Sequence, residues 1–183
     1  MATAGDQALK NVVVDGMLKD IHEAWKRKSY RAVLILAFSA IDAMAHLTMS
    51  ETKDKVTRSD FIAWAEKYLR FRDAKGERTL VLPGLELYAA RCALVHTYSS
   101  EADLHKKGEV KRQVGYGGEF LPEVAADPNV KNLVMVSIRG LVDALSEGVV
   151  ATLKDITHDE PRRKLFAARL EKMIQELPAM PEG

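Results

Sequence analysis

The residues with the greatest chemical reach stand together in Arg91-Cys92-Ala93-Leu94-Val95-His96-Thr97-Tyr98. Arginine grips two oxygens of a phosphate at once, and a histidine, with an ordinary pKa of about 6.5, takes or gives a proton near neutrality. RNA cleavage by its own 2′-hydroxyl needs just such parts: a base for that proton, an acid for the departing 5′-oxygen and a cation for the phosphorane, with no metal required. Positions five apart on an ideal helix point about 140° away from one another. Arg91 and His96 therefore meet at one atom only if the helix ends near His96 or a two-fold partner brings a second pair alongside. Tyr98 either hydrogen-bonds the phosphate or His96, or packs its ring at a helix end with the hydroxyl in water.

A second polar group interrupts the most apolar stretch of the chain. Ala32-Val33-Leu34-Ile35-Leu36-Ala37-Phe38 continues through Ile41, Met44 and Leu47, and Ser39, Asp42 and His46 draw a seam along it at intervals of three and four. An ionised aspartate there is costly unless paired. Arg91 is one candidate partner, since a carboxylate behind the guanidinium fixes its aim at a phosphate; a solvent-facing edge is the other reading of Asp42. His46 reads as a hydrogen-bonded core or edge residue rather than a catalyst. Lys106, Lys107, Lys111 and Arg112, with Arg70 and Arg72, are candidates to line an RNA path, although charge runs are most often solvated surface.

Other chemistries are excluded by spacing. Gly115-Tyr116-Gly117-Gly118 lacks the Gly-Lys-Ser/Thr ending of a phosphate loop and reads as a turn. His22-Glu23 has no second histidine at the spacing of a zinc protease, and Asp42 with His46 makes at most half a metal site. No metal and no cofactor is expected. Cys92, inside an apolar helix, reads as a small packing residue rather than a nucleophile.

The elements that must position these residues follow from apolar periodicity. An amphipathic stripe runs from Asp6 to Lys28, and the stretch from Tyr30 to Met49, apolar on every face, predicts a central buried helix, too interrupted to span a bilayer. Glu51 to Arg58 reads as a loop, Ser59 as the cap of a third helix with Phe61, Ala65, Tyr68 and Leu69 inward, and Arg70 to Arg78 as a further loop. Pro83-Gly84 opens the helix that carries the motif, with Leu87, Tyr88, Leu94 and Val95 as core contacts. Between Ser99 and Lys131 the helical period disappears. Glu109 to Tyr116 alternates like a strand, and Leu133 to Val136 is a candidate second one, together a small antiparallel hairpin. Ile138 to Ile156 and a last helix opened by Asp159-Glu160-Pro161, with Phe166, Leu170, Met173, Ile174 and Leu177 inward, complete the pattern.

The expected fold class is therefore all-α: one domain over residues 1–183, an up-and-down bundle of five to six helices. Its core helices span 6–98 and 137–177, with an insertion at 99–131 and a β-hairpin around 109–136. Composition agrees with one globular domain: 47% of residues are apolar and 29% charged, and 27 Lys+Arg against 26 Asp+Glu leave a net charge of +1. That balance supplies no long-range pull toward nucleic acid or membrane, so any RNA contact rests on a local patch. One cysteine excludes an internal disulfide, and the opening Met1 to Asp6 lacks the basic flank and apolar run of a signal peptide, which predicts a cytoplasmic protein.

Arginine, four residues, histidine, one residue, tyrosine resembles the signature of HEPN domains, and the final tyrosine matches the HEPN ribonuclease toxins that pair with a nucleotidyltransferase antitoxin. Leu87-Tyr88-Ala89-Ala90 and Phe38-Ser39-Ala40-Ile41-Asp42-Ala43 are similar to the helices flanking that signature, and the likeness extends over Asp6 to Tyr98. The resemblance implies a homodimer with two Arg–His pairs in one cleft, metal-independent cleavage of single-stranded RNA by Arg91 and His96, and a toxin or phage-defence role. It also implies that Tyr98 is where an antitoxin attaches nucleotides. Cys92 departs from the polar residue that HEPN nucleases usually carry after the arginine. An alternative stays open, a HEPN-like module that binds RNA, a nucleotide or a protein without cleaving, as does an unrelated helical bundle with an ordinary helix-end pair.

Overall fold

In a computed structural model that describes residues 9–97 and 102–173, the N-terminal stripe winds as a π-helix over Lys10–Leu18 and continues as α1 (Lys19–Lys26). Lys28, at φ 57°, takes the left-handed conformation that usually ends a helix on glycine, and its amide bonds back to the Trp25 carbonyl at 2.9 Å. The chain then enters α2 (Tyr30–Thr48), where Val33, Ala37, Phe38, Ile41 and Met44 are fully buried. This is the central helix that the apolar run predicts. It packs against α1, α3 (Arg58–Tyr68), α4 (Gly84–Thr97), α6 (Ile138–Thr157) and α7 (Glu160–Leu170).

The cap of α3 differs from expectation: Thr57, not Ser59, precedes the helix, and the Asp60 carboxylate accepts the Thr57 amide proton at 2.9 Å. A threonine with an acid three residues on can satisfy two orphan donors reciprocally, which a serine two residues further along cannot. Phe61, Ala65, Tyr68 and Leu69 face inward as their spacing requires, joined by Trp64, whose indole donates to the Thr152 hydroxyl at 3.1 Å.

The expected loop at Arg70 to Arg78 contains a hairpin instead. β1 (Phe71–Arg72) pairs antiparallel with β2 (Arg78–Leu80), and Phe71, opposite Leu80, is fully buried. Its turn is organised by Asp73, whose carboxylate accepts from the Lys75 and Glu77 amides at 2.8 and 3.0 Å. Only two apolar residues in a charged stretch carry the pairing, too few to show as alternation. Gly84 then starts α4 against α3. A Cβ there would stand 2.9 Å from side-chain carbons of both Glu66 and Ile62, and the Glu66 carboxylate accepts the Gly84 amide proton at 3.0 Å.

The insertion holds a short helix that periodicity does not reveal, α5 (Asp103–Lys106), a single turn being too short to show a period, and two strands, β3 (Gln113–Gly117) and β4 (Val124–Ala126); β5 (Leu133–Ser137) follows it. The antiparallel hairpin expected here is overturned. β5 lies in the middle, antiparallel to β4 but parallel to β3, with Val114 opposite Val134 and Tyr116 opposite Val136. The chain between β3 and β5 is long enough to cross over and supply β4 on the far edge, so the two strongest strands need not meet head to tail. Tyr116 packs edge-on against Phe38 of α2, centroids 6.3 Å apart, which fastens the sheet to the helices.

Ser137 caps α6 by accepting the Gly140 amide proton at 3.1 Å, and Asp159 caps α7 by accepting that of Arg162 at the same distance. Phe166 and Leu170 are buried; Ile174 and Leu177 lie outside the described residues. The fold is thus largely helical, 59% of the described residues in helix and 11% in strand, with two small sheets that an all-α reading leaves out. Among the described residues one helix, Tyr30–Thr48, is long and apolar enough to cross a membrane, and half of it is buried inside the fold.

Candidate functional site

Asp42 lies two-thirds of the way along α2 and Arg91 at the start of the third turn of α4, and their side chains meet between these helices. Nε and Nη2 of Arg91 both donate to Oδ2 of Asp42, at 2.9 and 2.7 Å. Of the two readings left open for Asp42, the geometry is the paired one. The pair is nevertheless not sealed, since 22% of the Arg91 side chain and 25% of the Asp42 side chain remain accessible. Burial works against the arginine's charge, but the hydrogen bond and charge of Asp42, aided by the Cys92 thiol, outweigh it and hold the guanidinium above its usual range. A carboxylate that fixes a partly exposed guanidinium is an arrangement suited to holding an anion.

Tyr88 and Cys92 stand one turn apart on α4 and border this pair. Tyr88 packs edge-on against Phe61, centroids 5.4 Å apart, with the Arg58 guanidinium 5.9 Å from its ring centre. Its hydroxyl pKa is raised by burial first and then by the neighbouring Cys92 thiol, so it stays neutral. Cys92 is partly buried, and on its other side it packs against a small cluster of Ala89, Ala93, Ala102, Leu104 and Val110.

His96 is in the last turn of α4, and its side chain lies outside the described residues, as does Tyr98 altogether. The backbone remains α-helical through Thr97, so positions 91 and 96 stand about 140° apart around the axis. Over the described turns of α4 the regular backbone therefore does not by itself turn the two positions toward one atom.

The rest of the polar seam on α2 divides. Ser39, one turn before Asp42, is exposed, whereas His46, one turn after it, is partly buried, its pKa lowered by burial and then by the charge of Arg169. Arg169 itself donates to the Met49 and Ser50 carbonyls at 2.6 and 2.9 Å, so His46 belongs to the α2–α7 junction rather than to the Arg91 pair.

The candidate RNA-path cations also divide. Lys106, Lys107 and Lys111 are exposed, Lys106 with a loose contact of 3.6 Å to Asp103. Arg112 instead clamps Glu86 of α4 through Nε and Nη2 at 2.7 Å each, beside an open cleft of about 450 Å³ that Lys111 and Asn132 also line. Arg70 donates to the Glu66 and Leu69 carbonyls, and Arg72 leans toward Glu123 and Asp143 at 3.8 Å. These guanidinium groups are engaged within the fold. Glu86 and Arg58, which the spacing does not single out, enter the surroundings of the site through partners far away in sequence, Arg112 and Glu109; Glu86 and Arg112 are 26 residues apart. Among the described residues no group of three or more His, Cys, Asp or Glu side chains converges as a metal site.

No family model matches this sequence, and neither a curated protein nor a solved structure matches it.

Proposed function

We propose that the chain is a HEPN-type endoribonuclease, an up-and-down helical bundle that acts as a cytoplasmic homodimer, and that its target is single-stranded RNA. The observation that carries this reading is the Arg91 guanidinium held by Asp42 at the opening between α2 and α4, partly exposed and oriented. A two-fold axis beside α4 supplies what one chain lacks, because the 140° between positions 91 and 96 is then bridged by the second copy.

In such a cleft one His96 imidazole takes the proton of the 2′-hydroxyl as its oxygen bonds to phosphorus. The bond from phosphorus to the 5′-oxygen breaks, and the other copy's imidazolium gives that oxygen its proton. Arg91 meets the charge that builds on the phosphorane oxygens. The products are a 2′,3′-cyclic phosphate and a 5′-hydroxyl end, with no water and no metal consumed. Tyr98 in this reading borders the phosphate and is the point of attachment for nucleotides from a nucleotidyltransferase antitoxin, in keeping with a toxin or phage-defence role.

The purified protein is expected to cut single-stranded RNA in a chelating buffer and to lose roughly 10²–10⁴-fold in rate as His96→Ala or Arg91→Ala. Cleavage that persists in His96→Ala, or that depends on magnesium, defeats the proposal. One observation favours the binding module instead: Cys92 turns toward Tyr88 and the small apolar cluster, where HEPN nucleases carry a polar group. If Cys92→Asn leaves an inactive protein inactive while RNA still binds, the binding reading takes precedence.

A further inference from the structure

The corner between α1 and α2 concentrates positive charge that the fold does not neutralise. From Ile21 to Phe38 the chain carries Lys26, Arg27, Lys28 and Arg31, all exposed, against one carboxylate, Glu23. Lys26 takes that carboxylate at 2.8 Å; among the described residues Arg27, Lys28 and Arg31 form no ion pair. Like charges crowded together repel, and the backbone does not ask for them: at φ 57°, Lys28 stands where glycine would turn the chain at lower cost. Two aromatic rings lie among these cations. Trp25 packs against the core, with the Arg139 guanidinium 5.9 Å from its ring centre. Tyr30 leans on it, centroids 5.4 Å apart, and is 39% exposed. An exposed ring set among cations suits a single strand of nucleic acid, whose unpaired bases offer a face to stack and whose phosphates offer charge. No aliphatic residue stands between Trp25 and Arg31, which leaves a lipid surface little to take up.

We propose that this corner is a second contact for single-stranded RNA, where Tyr30 stacks a base and Arg27, Lys28 and Arg31 hold the phosphates beside it. The proposal rests on the ribonuclease reading for its choice of ligand and adds to it a subsite away from the Asp42–Arg91 pair. A stripe along α2 joins the two. Arg31, Ile35, Ser39 and Asp42 follow one another at intervals of four, four and three, which keeps them within about 80° around the axis. Arg31 and Ser39 are exposed, Ile35 and Asp42 partly so. Arg31 and Asp42 stand about 16 Å apart along the helix, at about 1.5 Å per residue. A stacked strand, at about 3.4 Å per nucleotide, covers that distance with about five nucleotides. A strand with one phosphate at Arg91 therefore reaches Tyr30 without leaving the surface of this helix.

Fluorescence anisotropy on the full-length protein tests it, with a labelled 2′-O-methyl oligouridine of about ten nucleotides. Such a strand lacks the attacking hydroxyl, so it is bound and not cut. Tyr30→Ala is expected to weaken binding roughly fivefold or more through the lost stack, and Tyr30→Phe to stay within about twofold of wild type. Lys28→Gly suits the left-handed turn, so its thermal midpoint should not fall. Its affinity should nevertheless drop roughly threefold or more, and its slope of log affinity against log salt should lessen by about 0.7, the share of one phosphate contact. Binding that both Tyr30→Ala and Lys28→Gly leave unchanged would overturn the corner. So would a wild type that ignores the strand, whether or not it then attaches to phosphatidylserine vesicles through these residues. The two readings fail separately: corner-dependent binding by a protein that cuts no RNA defeats cleavage alone, and cleavage by a protein whose binding ignores Tyr30 and Lys28 defeats the corner alone.

Discussion

Among the carboxylate–guanidinium contacts that join distant parts of this chain, those of Glu123 and of Asp42 are built differently. Glu123, between β4 and the turn before it, is only 3% exposed; its carboxylate accepts the Arg72 amide proton at 2.7 Å and Nη1 of Arg78 at 2.8 Å. Arg78 reaches on to Glu147 of α6 at 2.8 Å, and Gly140 makes room, since a Cβ there would come within 2.7 Å of the Glu123 side chain. That cluster clasps the β1–β2 hairpin to the larger sheet and to α6, and its members face one another. Asp42 and Arg91 also join two elements, but with about a quarter of each side chain open to solvent. A carboxylate that is almost fully buried makes a clasp, whereas an oriented pair with about a quarter of each side chain in solvent leaves the cation within reach of an incoming anion.

The contrast is tested first where the effect is largest. Glu123→Ala leaves the Arg72 amide without its acceptor and takes from Arg78 its buried carboxylate, leaving it only the half-exposed Glu147 and the Arg70 carbonyl. It is expected to cost about 3–5 kcal/mol in urea denaturation. A loss under about 1 kcal/mol would remove the distinction between clasp and opening. Asp42→Ala removes the carboxylate from a cation that water already reaches, so a smaller cost of about 2–3 kcal/mol is expected by the same measurement. If it equals the Glu123 variant, Asp42 is as structural as the clasp.

Gly140→Ala pushes a methyl into Glu123 and is expected to cost about 1–3 kcal/mol, read as a fall in the thermal midpoint. An unchanged midpoint would show that the clasp has slack. The smallest effect concerns acid. Burial lowers the pKa of His46, so the unfolded chain takes up a proton more readily than the folded one. The stability this group contributes is therefore intact above its ordinary pKa of about 6.5 and is lost as pH falls from there through the folded value. His46→Gln should flatten that part of the stability profile; an identical slope in the variant would place the acid response elsewhere.

Much of the scaffold is written in local spacing. The three- and four-residue intervals of Val33, Ala37, Phe38, Ile41 and Met44 predict α2, the Asp159-Glu160-Pro161 opening predicts α7, and each residue needs only its neighbours within two turns to declare its face. The Arg91 to His96 interval is legible in the same way, and with it the need for a second copy if both are to act at one atom.

What local spacing does not carry is who meets whom across the fold. Asp42 and Arg91 are 49 residues apart, Arg78 and Glu123 are 45, and Arg112 and Glu86 are 26. Alternation marks residues 109–116 and 133–136 as strands yet is the same for parallel and antiparallel neighbours, so the crossover through β4 had to decide the pairing. Sequence by itself determined the long α-helices, the polar seam on the central one and the Arg-His-Tyr spacing, because these are set by backbone periodicity within a few residues. Only the tertiary structure decided that Asp42 turns to Arg91 while Arg112 is claimed by Glu86, because a buried or half-buried charge takes whichever partner the packing of the whole chain brings within reach.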